Sequence, residues 1–128
     1  MAGVVVDLAA TVQWLRGVEP YATLIPQLLE QGEKVAWTPV EAAWICEYLS
    51  PSDQSLYDGL FQALEFLPIT AEIGKKAGSY MSAFPDPKVL GVECALTAAS
   101  AFTHDMSLWT VPDCRKYYPM NDIRFFEP

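Results

Sequence analysis

The chain predicts an α/β fold, a mostly parallel sheet of four or five short strands with helices packed on both faces. Three observations carry that prediction. The apolar runs "VVV", "KVAW" and "SLW" recur along the chain, each too short for a helix and rich in residues that suit a buried strand. Segments of helical length and period separate them. The 128 residues, 52% hydrophobic and 19% charged, suffice to bury one core without staples, so residues 1–128 read as a single domain.

The elements follow in order. Val4-Val5-Val6 stops at Asp7, as a buried strand would, and Leu8 to Arg16 is helical with Gly17 behind it. Tyr21 to Gln31 is a second helix with Pro26 inside it and Gly32 as its stop. "KVAWT" is the second strand. In "TPVE", Thr38 suits an N-cap, Pro39 suits N1 and Glu41 at N3 completes a capping box, so a helix runs on to Leu49. "SPSDQ" opens a helix reaching about Glu65, "FLPIT" is the third strand, and Thr70 caps a helix to about Ala83. After the break "FPDPK", Lys88 to His104 forms a helix with Val89, Val92, Leu96 and Ala99 on one face. "SLWT" is the fourth strand and "IRFF" a candidate fifth.

Composition narrows the function classes. Sixteen acidic against eight basic residues give a formal charge of −8, which repels nucleic-acid phosphate unless a basic patch or a bridging cation intervenes. Lys75-Lys76 and Arg115-Lys116 are the basic spots, most simply solvated surface. Cys46, Cys94 and Cys114 are odd in number and far apart, so buried thiols are expected rather than a disulfide framework, and with His104 alone they make no recognisable zinc pattern. His104 suits a helix end, where the dipole favours it. No apolar run spans a bilayer. The start "MAGVVVDLAATVQW" lacks a basic n-region and meets an aspartate at once, which favours a cytoplasmic protein.

Ligands of open parallel sheets bind beyond the carboxyl ends of the strands. Asp7, Glu41, Glu93 and Asp113 come from chain-distant places toward that edge. Clustered carboxylates repel one another and persist where a divalent cation neutralises them; oxygen donors favour magnesium or manganese, which serve phosphodiester cleavage. The alternatives are structural: Asp7 as a helix cap and Glu41 as a capping-box residue.

The chain resembles a PIN domain, most closely the VapC-type toxins of bacterial toxin–antitoxin pairs. The likeness rests on "VVVDLAATVQWLRG", "TPVEAAW", "FLPITAEIGKKAG", "AASAFTHDMSLWT" and "YYPMNDIRFFEP", five segments in the family's order. It implies a PIN-like α/β/α sandwich, a Mg2+- or Mn2+-dependent ribonuclease acting on single-stranded RNA, a homodimer and a VapB-like antitoxin. Carried across residue by residue, it makes Asp7 the first acid, with Ala9 where a hydroxyl residue is usual. The family's glutamate falls on Trp44, between Glu41 and Glu47, and its aspartate on Cys94, beside Glu93. In the last loop its Asn or Asp falls on Pro112, with Asp113 or Cys114 able to take the position. The expected catalytic set is therefore Asp7, Glu41, Glu93 and Asp113, with Asp7, Glu93 and Asp113 as metal ligands. The other reading is a degenerate PIN fold kept as a binding or assembly module. The large apolar residues Trp44, Ile45, Tyr48, Leu56, Tyr57, Leu60 and Phe61 are more than one small domain is expected to bury, which also favours a dimer.

Overall fold

Strand β1 (Val4–Val6) lies inside the sheet of a computed structural model that describes residues 3–48 and 50–128, with Tyr57 described by its backbone alone. Strands β2 (Val35–Trp37), β3 (Glu65–Phe66) and β4 (Ser107–Trp109) complete the sheet in the order β3-β2-β1-β4, all parallel. Val4 pairs with Val35 on one side and Ser107 on the other, and Val6 with Trp109. Asp7 and Thr110 therefore leave the same edge of the sheet. Gly3 enters β1 at φ +122°, where an added Cβ would stand 2.9 Å from Lys34 Cβ, so only glycine fits this entry.

Alternation along the strands builds two cores. Val4, Val6, Val35, Trp37 and Trp109 face one layer, which contains helices α1 (Leu8–Leu15), α2 (Tyr21–Glu30), α3 (Pro39–Tyr48) and α4 (Gln54–Ala63). Val5, Ala36 and Leu108 face the other, made by α5 (Ala71–Ala83) and α6 (Val92–Thr103). Each large apolar side chain fully buried in this way contributes about 1.5–3 kcal/mol. No helix of the described residues is long and apolar enough to cross a membrane.

Several boundaries differ from the expectation. The third strand begins at Glu65 rather than within "FLPIT", because pairing with β2 takes Glu65 and Phe66, and Pro68 has no N–H to extend the ladder. The fourth helix accordingly ends at Ala63. "IRFF" is not a fifth strand: one parallel bridge joins Leu108 to Phe125, held by Leu108 N–H to Arg124 O at 2.7 Å and Phe126 N–H to Leu108 O at 2.8 Å. The helix expected from Lys88 begins at Val92, since Asp86 folds residues 88–90 into a turn by accepting from their N–H groups. Val89 and Val92 are exposed, while Leu96 and Ala99 of the expected face do pack on the core, Ala99 together with Ala95, Ala98 and Ala101, which are small enough to pack closely beneath α5. The expected end of the "TPVE" helix at Leu49 lies outside the described residues.

One residue of each basic pair is engaged, while Lys75 and Lys116 are exposed. Lys76 bridges Asp122 at 2.8 Å and lies over the Phe102 ring, while Arg115 bridges Glu127 at 2.8 Å and lies over Phe125. His104 caps α6, with Nδ1 2.9 Å from Ser100 O.

Candidate functional site

At the carboxyl edge of the sheet, the ends of β1 and β2, the first half of α6 and the turn after β4 enclose a cavity of about 320 Å3. Asp7, Glu41, Glu93, Cys94, Thr97, Cys114 and Tyr118 line it, with Trp44 and Tyr117 half-exposed at its rim. Among the described residues, no basic side chain takes part in the lining.

Asp7 caps α1 and faces the cavity at once. Its Oδ1 accepts from Ala10 N–H at 2.9 Å, and its Oδ2 accepts from the Tyr118 hydroxyl at 2.8 Å. Burial pushes its carboxyl above the usual carboxylate range, against the opposing pull of Ala10, Thr110 and Tyr118. The Thr110 hydroxyl is close enough to favour the Asp7 charge, yet it is buried and makes no regular hydrogen bond.

Glu41 is only 1% exposed. Its Oε1 accepts from Thr38 N–H at 2.9 Å and Thr38 Oγ1 at 3.0 Å, closing its half of the predicted capping box; Thr38 Oγ1 accepts from Val40 N–H at 3.1 Å. Its Oε2 accepts from Thr97 Oγ1 at 2.7 Å. Burial, with a smaller push from Asp7, raises its carboxyl to about 7 in spite of those donors. Capping and lining the cavity are thus one role, not alternatives. The α3 carboxylate on the cavity is Glu41, not the position of Trp44, which stands at the rim and is 38% exposed.

The other candidates divide. Glu93 reaches the rim but is exposed, its carboxylate turned back over Gly91. Asp113 is exposed and takes no part in the lining: Pro112–Tyr117 is a 3₁₀ turn, whose three-residue period points neighbours in different directions and turns Cys114 inward instead. Cys94 also faces the cavity, its thiol pushed up to about 11 by burial. Thr97 and Tyr118 were not foreseen. Thr97 follows Cys94 by nearly one helical turn, a signal that spacing offered; nothing in the sequence points Tyr118 at Asp7.

The fold has well-defined solved counterparts. The VapBC2 structure from Rickettsia felis, bound to a DNA fragment from its promoter, superposes with a TM-score of 0.79 over 96% of each chain at 14% identity. FitAcB from Neisseria gonorrhoeae gives 0.72 over 98% of this chain and 97% of the other at 18% identity. A toxin–antitoxin complex from Klebsiella pneumoniae gives 0.70 over 98% and 100% at 12% identity. This chain shares their fold. No protein-family model and no curated protein matches the sequence.

Among the described residues, no three histidine, cysteine or carboxylate side chains form a ready-made metal cage. A hard cation needs less than that, since magnesium is commonly held by one or two carboxylates and water. Asp7 and Glu41 supply two carboxylates, and among the described residues no basic side chain lines the cavity to neutralise them.

Proposed function

We propose that this chain acts as a VapC-type toxin, a metal-dependent endoribonuclease cleaving single-stranded RNA and held in check by a small VapB-like antitoxin. The observation that supports this reading is that two buried acids, Asp7 at the end of β1 and Glu41 in the first turn of α3, share one cavity with no basic side chain among its described lining residues. A bound Mg2+ or Mn2+ would supply the charge that activates water and stabilises the leaving oxygen. Asp7 and Glu41 would hold it, with Glu93 at the rim as the nearest further acid. Ala10 and Tyr118 fix the Asp7 carboxylate, Thr38 and Thr97 fix that of Glu41, and neither is free to swing away. Glu41, with its carboxyl near 7, can take or give a proton at neutral pH. The exposed faces of Trp44 and Tyr117 offer stacking platforms for bases, which suits unpaired RNA on a chain whose net charge repels phosphate.

A second reading has its own observation. Every oxygen of Asp7 and Glu41 already accepts a hydrogen bond from the protein, and thiols line the wall where further acids are expected. That suits a degenerate fold used for binding. Asp7→Asn separates the two. In the ribonuclease reading it abolishes both manganese binding by calorimetry and cleavage of a labelled single-stranded RNA, while the melting temperature stays equal or rises. A protein that binds no manganese, and that Asp7→Asn leaves unchanged, is the binding module.

A further inference from the structure

We infer that Phe125 is a positioning residue for the Asp7 carboxylate and acts through Tyr118. The inference rests on reading Asp7 as the functional acid of the cavity, and it brings a remote segment of the chain into the site.

Tyr118 is buried and directly follows the six-residue 3₁₀ turn Pro112–Tyr117. The hydrogen bonds of such a turn are poorly aligned, so the direction of the Tyr118 ring needs a second support. Residues 124–126 supply it. Leu108 N–H donates to Arg124 O at 2.7 Å and Phe126 N–H donates to Leu108 O at 2.8 Å, which ties the backbone on both sides of Phe125 to β4. Strand-like alternation then sends the two phenyl rings to opposite faces of the sheet. Phe126 packs on Trp109, with centroids 4.8 Å apart, and Phe125 packs on the core that contains Tyr118.

Phe125 meets Tyr118 edge to face, with centroids 6.2 Å apart and ring planes at 77°. The Arg115 guanidinium lies 4.9 Å from the centroid of the same phenyl ring and bridges Glu127 at 2.8 Å. That ion pair stands largely in water and holds weakly, so the ring contact is the firmer support. From Phe125 the path to the acid is one residue long. The Tyr118 hydroxyl donates to Asp7 Oδ2 at 2.8 Å, across 111 positions of sequence. With Ala10 N–H on Oδ1 and Tyr118 on Oδ2, the plane of the Asp7 carboxylate is fixed; with Ala10 alone it can turn about Cβ–Cγ.

Carbon-13 placed at Cζ of tyrosine reports the hydrogen bond of each tyrosine hydroxyl by NMR. The Tyr118 signal of the whole chain is the one lost in Tyr118→Phe, and Asp7→Asn shows how far it moves when the acceptor loses its charge. Phe125→Leu keeps an apolar side chain but removes the ring, and should move the signal in the same direction as Asp7→Asn. Phe125→Met serves the same purpose if the leucine variant does not fold. Phe125→Tyr keeps the ring and should hold the signal at its wild-type position. Ile73→Val, in the same core layer, should lower the melting temperature and leave the signal in place. On a labelled single-stranded RNA, Phe125→Leu should lower kcat on the order of 10-fold with KM unchanged. A Tyr118 signal unmoved in the folded variant overturns the inference, and cleavage by the wild type then leaves the ribonuclease reading standing. A signal that moves while kcat stays at the wild-type value overturns it as well. A signal that moves in a protein that cleaves no RNA upholds the positioning of Asp7 and removes the ribonuclease reading instead.

Discussion

Glu41 closes the start of α3 with one oxygen and reaches Thr97 of α6 with the other, so one buried carboxylate ties two helices together beneath the cavity. Its folded carboxyl near 7 stands above the ordinary 4.5, so between those values the folded state holds more proton than the unfolded one. Stability contributed by the protonated form is therefore present at low pH and lost as pH rises through that window, by on the order of 3 kcal/mol. Glu41→Gln removes this dependence. Its urea unfolding free energy should exceed that of the wild type at pH 8, and the gain should disappear toward pH 4.5. Tyr118→Phe has the opposite sense, since it takes the hydroxyl from Asp7 Oδ2. It should cost about 1–3 kcal/mol at pH 7, with an unchanged denaturant slope. Of these residues, Asp7 and the capping role of Glu41 were legible in the sequence, because a strand end and a capping box are local patterns. The partners Thr97 and Tyr118 were not, because they come from the far end of the chain.

At the scale of elements, α6 carries the clearest lesson. An apolar stripe through Val89 and Val92 is what hydropathy suggests, yet those valines are exposed and alanines take the buried face. Hydropathy ranks valine above alanine, but the narrow space between the sheet and α5 admits only the smaller side chain. Ala98→Leu should therefore overpack this layer and lower stability by about 1–3 kcal/mol, read as a fall in melting temperature with little change in circular dichroism at 20–25 °C. The turn after β4 teaches the same point about register. Counting along the chain falls on Pro112 and leaves Asp113 and Cys114 both open, whereas the tighter period of a 3₁₀ turn brings Cys114 to the cavity.

For the whole molecule, the apolar surplus behind the dimer expectation resolves unevenly. Ile45 and Leu60 are buried, while Trp44, Tyr48 and Leu56 remain 38%, 70% and 48% exposed. A homodimer proposed through this face predicts about twice the 14.2 kDa chain mass by light scattering at micromolar concentration. Tyr48→Glu with Leu56→Glu should return the monomer mass without loss of fold. The α/β class, the order of the helices, the strands "VVV", "VAW" and "SLW" and Asp7 as the cap behind the first strand were determined by the sequence itself. Each rests on periodicity or on a cap, and both act between near neighbours in the chain. What faces the cavity was decided only by the tertiary structure. Whether Glu41 or Trp44, Asp113 or Cys114 points inward depends on how α3, α6 and the last turn rotate as they pack on the sheet edge, and that rotation is set by the shape of residues far away in the chain.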